Sequence, residues 1–344
     1  MNSLTTRILA GLLAAQILLA IGLHLAGADY TAYEPEGPLV PFETGAIDGL
    51  TIADADGSVR LARTDDGWVL PDRGDFPADT AGVDRLLEHL GKLEKGWPVA
   101  TTAGALERFK VADDAFERRI ALLDGDAEQA VLYVGTSPGL RKAHLRPAGD
   151  DQVYAGDFST WEAGASPDDW IDKDRLTLDA DSITAITLPD VKLQRDGETF
   201  KVLDLADGES PRPEAIATLV SRLSTLRIQS VAKSSDSPDG EPALVIELAQ
   251  KDADPLTYQI WKPDDDGGAA QMRRSDIEQT LEIAGFLAQQ LIDTDRAALV
   301  EAPVADEPEP AEADQAETEG AESDEASSST TEPAEASEPE QSAD

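Results

Sequence analysis

Between residues 46 and 300 the apolar positions fall into two alternating patterns. Val83, Leu86, Leu87, Leu90 and Leu93 are spaced i, i+3, i+4, i+7 and i+10, the stripe of a helix that buries one face. Ile216, Leu219, Val220, Leu223 and Leu226 repeat the stripe, each 133 residues later. Ahead of each stripe stands a strand-like hairpin, VRLARTDDGWVL at 59–70 and VKLQRDGETFKVL at 191–203, with Arg63 lying 132 residues before Arg195. After each stripe comes a short β-rich return, WPVATT from Trp97 and IQSVAKSS from Ile228. Alternating runs follow, RIALLD and AVLYVG in the first stretch, ALVIELA and LTYQIW in the second. Both stretches close on similar strings, Ile171-Asp172-Lys173-Asp174-Arg175 and Ile292-Asp293-Thr294-Asp295-Arg296.

One amphipathic stripe arises easily by chance; the whole ordered series does not. The pattern predicts an α+β fold built by tandem duplication of a mainly antiparallel β module, with one amphipathic helix after its first hairpin. The modules are expected at 46–178 and 179–300.

Ahead of them, Ile8–Ala28 runs 21 residues without a formal charge. At about 1.5 Å per helical residue this approaches a hydrocarbon core of about 30 Å, so residues 1–28 read as one transmembrane helix. Ala26-Gly27-Ala28 has the small-x-small form of a signal-peptide cleavage site, but the apolar run exceeds the usual signal-peptide core and a retained anchor is expected. Arg7 precedes the span, whereas Asp29, Glu34 and Glu36 follow it, which places the N-terminus in the cytoplasm and the rest outside. Residues 29–45, with Pro35, Pro38 and Pro41, read as an extended linker.

Composition changes the picture at the other end. The 344 residues hold 69 acids against 28 bases, a net charge of −41. Sixteen of the acids and none of the bases lie in 301–344, among Pro, Ala, Ser and Thr, so this stretch is expected to be a disordered acidic tail. The charge repels phosphate backbones and excludes nucleic acid as a partner. There is no cysteine, hence no disulfide, thiolate zinc site or iron–sulfur cluster. The lysine-poor acidic surface suits a salty exterior or simple solubility, and the two readings stay open.

Candidate chemistry is thin. Gly135-Thr136-Ser137-Pro138-Gly139 matches the nucleophile-elbow pattern, but Pro138 has no N–H to offer an oxyanion and GLRKAHLRP after it reads as a strand, so a hairpin turn is expected. His24 belongs to the apolar span; His89 and His144 are expected to be exposed structural residues, and no pair has metal-ligand spacing. Asp124–Gln129 begins like a calcium loop but lacks the glycine at its sixth position. Asp172, Asp174, Asp293 and Asp295, with Arg175 and Arg296, are expected to cap turns and pair locally, the other reading being a partner-docking patch. No phosphate-binding glycine loop occurs. No catalytic, cofactor-binding or metal residue is therefore assigned, and no cofactor.

Trp68 with Pro71 and Pro77, then Phe109-Lys110-Val111, Leu132-Tyr133-Val134-Gly135, Val153-Tyr154 and Trp170-Ile171-Asp172-Lys173, together resemble the DUF4340 family of bacterial envelope proteins. The likeness covers roughly 47–296 and supplies no catalytic residues; the acidic tail departs from it. The resemblance implies a place beside gliding-motility-type ABC transporter components. The functional expectation is a non-enzymatic accessory or scaffold protein of an envelope complex. It would sit in the bacterial inner membrane with a periplasmic C-terminal domain, its partner an ABC transporter permease. The alternatives are an envelope glycan-binding module using Trp68, Trp97, Trp161, Trp170 or Trp261 as platforms, and a carboxylate-based hydrolase.

Overall fold

The computed structural model describes residues 3–25, 37–233, 238–263 and 268–302. After helix α1 (Ser3–Leu25), the first half runs β1 (Gly49–Ala53), β2 (Ser58–Thr64), β3 (Gly67–Leu70), β4 (Phe76–Pro77), α2 (Thr80–Gly91), β5 (Pro98–Ala100), α3 (Ala103–Arg108), β6 (Arg118–Asp124), β7 (Ala127–Val134), β8 (Lys142–Pro147) and β9 (Val153–Asp157). The second half runs β10 (Ile183–Thr187), β11 (Lys192–Asp196), β12 (Thr199–Val202), β13 (Ser210–Pro211), α4 (Pro213–Ser224), β14 (Ser230–Val231), β15 (Leu244–Gln250), β16 (Leu256–Ile260), β17 (Ala269–Arg274) and β18 (Leu281–Ala284), then α5 (Gly285–Ile292), α6 (Arg296–Leu299) and β19 (Val300–Glu301).

Two large sheets result, ordered β4-β3-β2-β1-β6-β7-β8-β9-β5 and β12-β11-β10-β15-β16-β17-β18-β14, with β13 and β19 forming a separate pair. Their ladders are antiparallel. With β4 set aside, the two orders coincide strand for strand. In each, the chain leaves one edge of the sheet, forms a helix, joins the far edge with a short strand and returns to the middle. The coincidence extends to side chains. Arg63 lies opposite Trp68 with its guanidinium 4.7 Å from the ring, and Arg195 lies opposite Phe200 at 4.6 Å.

The helices form where their stripes predict. Asp79 caps α2 by accepting the Gly82 N–H at 2.9 Å, and α4 begins instead at Pro213, whose missing N–H would be unpaired there anyway. Val83, Leu86, Leu87 and Leu90 of α2 and Ile216, Leu219, Val220 and Leu223 of α4 are all buried. They enter one continuous core that includes strands of both sheets, and the described residues through Ala302 fall within one compact unit. A smaller cluster, Val111, Ala121, Val131, Tyr133 and Val153, fills the opposite face of the first sheet.

The segment between the halves ties them together. Asp172 donates its N–H to Pro77 O at 2.9 Å, and Lys173 O accepts the Ile228 N–H at 3.1 Å. Arg274, 3% exposed, donates to the carbonyls of Leu176 (3.1 Å) and Arg175 (2.9 Å).

Two expectations change, and a third is not shown. The last part of the expected linker is not extended away from the fold, because Leu39 and Val40 are apolar enough to be buried; the Leu39 N–H bonds Leu93 O at 2.6 Å. Glu301, expected in the tail, pairs with Ser210 in the β13–β19 ladder, and the tail from 303 onward lies outside the described residues. In α1, side chains are described for Arg7–Leu19, a stretch of about 20 Å, and all are exposed. Among the described residues no helix is long and apolar enough to cross a membrane. The side chains of Ala20–Leu25 and the whole of Ala26–Ala28 fall outside the described part, so the expected span is not shown.

A core shared by both halves predicts joint unfolding. Leu223→Ala, at a fully buried position, should lower stability by about 2–5 kcal/mol. Tryptophan fluorescence reports mainly on the first half, where four of the five tryptophans lie. Its urea midpoint should shift together with that of far-UV circular dichroism; a fluorescence midpoint left in place would mean that the halves unfold separately.

Candidate functional site

A cleft of about 560 Å³ opens between the outer flank of α2 and the segment from Ser159 to Trp170. On α2, the 3.6-residue period that turns Leu86 and Leu90 inward turns Arg85, Glu88, His89 and Lys92 toward this cleft. The facing segment is fixed from within. Trp170 is buried and donates its indole N–H to Gly164 O at 2.8 Å. Asp169 lies so close to Gly164 that a Cβ there would sit 2.1 Å from its carboxylate.

At the floor, His89 Nδ1 stands 2.7 Å from Glu162 Oε2, and the His89 ring lies 5.5 Å from that of Phe158. The other Glu162 oxygen accepts the Ser159 N–H at 2.9 Å, so the carboxylate is held at both ends. The flank charges are largely matched: Arg85 lies 3.5 Å from Asp79, and Lys92 lies 2.5 Å from Glu88, whose carboxyl its hydrogen bond holds below the usual range. Trp161 stands at the edge with 77% of its surface exposed. An imidazole oriented by a carboxylate could serve as a base, but no hydroxyl among the described residues hydrogen-bonds His89. An exposed aromatic plane beside fixed charged groups is suited to binding.

The residues singled out in the sequence are distributed as follows. Ser137 lies in a turn, its hydroxyl donating to Gly139 O at 2.6 Å, and β8 follows it, as a hairpin requires. Gly135 is needed for packing, since a Cβ would stand 2.0 Å from Phe109 O and 2.4 Å from Lys110 O. His144 corrects the expectation of exposure. It is 7% exposed, stacked on Phe109 at 4.0 Å, with Nδ1 2.7 Å from Thr136 O. Alternation on β8 turns it under the 109–111 segment, which strand periodicity alone did not reveal. His89 is likewise only partly exposed, because Glu162 covers it.

Asp124–Gln129 runs from the end of β6 through the Gly125-Asp126 turn into β7, and among the described residues no cluster of His, Asp and Glu could hold a metal ion. Of the tryptophans, Trp68 and Trp170 are buried, Trp261 donates its indole N–H to Gly240 O at 3.2 Å, and Trp97 and Trp161 are exposed. Asp172 turns back on the Asp174 N–H, Asp174 pairs with Arg227 at 2.8 Å, and Asp295 caps α6 through the Ala298 N–H at 2.9 Å. Asp293 accepts from the Gln289 amide at 2.8 Å, and Arg296 binds Glu209 at 2.5 Å. Asp172, Asp293 and Asp295 act locally, as expected, whereas Asp174 and Arg296 pair with residues 53 and 87 positions away, and the closing motifs are not brought together.

Two buried arginines escaped sequence reasoning. Arg146 donates to Val111 O at 2.5 Å, pairs with Asp113 and stacks on Tyr133 at 4.5 Å; Arg274 pairs with Asp276 at 2.6 Å. Their hydrogen bond from Arg146 holds the Asp113 carboxyl below the usual carboxylate range. Strand alternation could not single out Arg146: both faces of β8 are covered, so Leu145 and Arg146 are each buried on opposite sides; in Arg273-Arg274 it turns one member inward.

Gly135→Ala should therefore destabilise by several kcal/mol, about 3 or more, through backbone displacement, whereas Gly139→Ala, with open space around it, should stay within about 0.5 kcal/mol of the parent. Urea titration of both variants checks this, and equal losses would remove the structural account of the first glycine.

Arg296, by hydrogen bonding, also holds Glu209 below its usual value. A depressed carboxylate stabilises fully above the unfolded glutamate value of about 4.3 and loses that contribution as pH falls through the folded value. Acid titration of the urea midpoint should show this loss, and Glu209→Gln should flatten that part of the profile.

No curated protein and no solved structure matches the chain. The family model described as "Domain of unknown function (DUF4340)" matches residues 68–243, from β3 across α2, the rest of the first sheet and α4 to the approach of β15. That is just over half of the 344 residues, and the chain belongs to the DUF4340 family.

Proposed function

We propose that the chain is a non-enzymatic, membrane-anchored accessory or scaffold protein of a bacterial envelope complex, with α1 as the anchor and the duplicated unit outside the cytoplasm. The observation that carries the reading is the apolar surface of α1. Ile8, Leu9, Leu12, Leu13, Ile17, Leu18 and Leu19 are 51–69% exposed, in a sequence that carries no formal charge as far as Ala28. So much contiguous apolar surface needs a cover, and a bilayer supplies one. Arg7 ahead of the span and the acids beyond it favour an N-terminus in the cytoplasm. Coincident strand orders and the two Arg–aromatic pairs support a duplicated binding unit. A gliding-motility-type ABC transporter permease is the proposed partner, on the strength of the family resemblance.

A second reading, an envelope glycan-binding module, is favoured by Trp161 alone, which offers an exposed ring beside the charged α2 flank.

The anchor should keep the full chain in the membrane pellet through a carbonate wash. Because the chain has no native cysteine, Gly139→Cys in an exposed turn gives a single reporter. It should react with an impermeant maleimide in intact spheroplasts. Release by carbonate would remove the anchor, and labelling only after lysis would reverse the orientation. Co-purification of a permease in mild detergent is the expected result for the scaffold role; a chain recovered alone at native expression would overturn it.

A further inference from the structure

The two halves treat one position differently. In the first, Trp68 is 2% exposed; its indole lies against α2, donates to Asp84 at 3.2 Å and is stacked by Arg63. In the second, the matching positions carry Phe200, Ala217 and Arg195. The smaller ring and the missing carboxylate leave a pocket of about 300 Å³ between the β11–β12 hairpin and α4, with Val220 standing where the first half has Leu87. The first half closes this place with its own indole; the second leaves it open.

The rim carries charge. Asp181 lies 3.9 Å from Arg195 with its side chain 94% exposed, and Glu198 is exposed and makes no ion pair among the described residues. Arg195 is the one cation lining the pocket, and it is engaged. It donates to Ile183 O and Ala180 O, each at 2.5 Å, and stacks on Phe200. The opening is therefore a ring-sized apolar slot with an acidic edge, on a chain of net charge −41.

We infer that this pocket binds an aromatic side chain, indole above all, presented by a basic segment of a partner protein. The ring would take the place that Trp68 fills in the first half, and flanking Lys or Arg would meet Asp181 and Glu198. Aromatic anchors seated in pockets dominate such contacts, and the charges set steering and partner choice. The inference stands on the comparison of the halves and does not depend on where the chain is anchored.

The test uses the full-length chain in detergent and the peptide Lys-Lys-(5-fluoro-Trp)-Lys-Lys, followed by ¹⁹F NMR. Saturable broadening or shift of the fluorine signal is expected. Phe200→Trp combined with Ala217→Asp transplants the first half's filling and should weaken binding about tenfold or more while keeping the thermal midpoint. Ala217→Leu, a smaller plug on an exposed helix position, is the second variant should the double one fail to fold. Lys-Lys-Ala-Lys-Lys should not displace the probe. Displacement by it, or undiminished binding to a folded plugged variant, would reduce the effect to general attraction by an acidic chain and overturn the assignment. Self-association of the parent that the plugged variants lose would give the pocket to a second copy and overturn it equally.

Discussion

Each large sheet in this chain has an inner face that one helix must cover. An α-helix of 12 residues is about 18 Å long, and strands lie about 4.8 Å apart, so α2 and α4 can each span roughly four strands. That length match explains the connection seen twice: out from the edge hairpin, across the face as a helix, into the far edge as β5 or β14, and back to the centre. The stripe on each helix is fully occupied by this task. The remaining flank is free to vary, and variation there distinguishes the halves.

Because the core is continuous, the closing motif of the first half is a joint as well as a terminus. The chain from Trp170 to Leu178 gives one hydrogen bond back to Pro77 and accepts another from Ile228, while Arg274 satisfies two of its carbonyls. A buried guanidinium is tolerable where its donors are paired, and Arg146 and Arg274 both meet that condition with carbonyls and an aspartate. In the second closing motif, Asp295 and Arg296 are engaged with the α6 cap and with Glu209.

The two halves, alike in strand order, present corresponding surfaces with different surroundings. On α2, Glu88 and His89 meet the Ser159–Trp170 segment and build a charged cleft; at the edge hairpin the first half is closed by Trp68 and the second is left open by Phe200. At corresponding positions, then, the first half has a buried Trp68 where the second has Phe200 beside a pocket, while the helix stripes are buried in both.

The periodicity of apolar residues determined the two helices, the edge hairpins, the return strands and their order, because burial of one helix face or alternate strand residues leaves its period in the chain. The turn role of Ser137 and the local duties of Asp172 and Asp295 were equally legible, since proline and Asx chemistry act within a few residues. Strand order was not: β5 pairs with β9 across more than fifty residues, and no local signal specifies the partner. Nor was the burial of His144, Arg146 and Arg274, polar residues that go inside only because distant carbonyls, rings and carboxylates converge on them. The His89–Glu162 pair joins residues 73 apart, and the open slot at Phe200 exists only relative to the helix packed over it. Such features depend on tertiary coincidence, which the linear pattern does not encode.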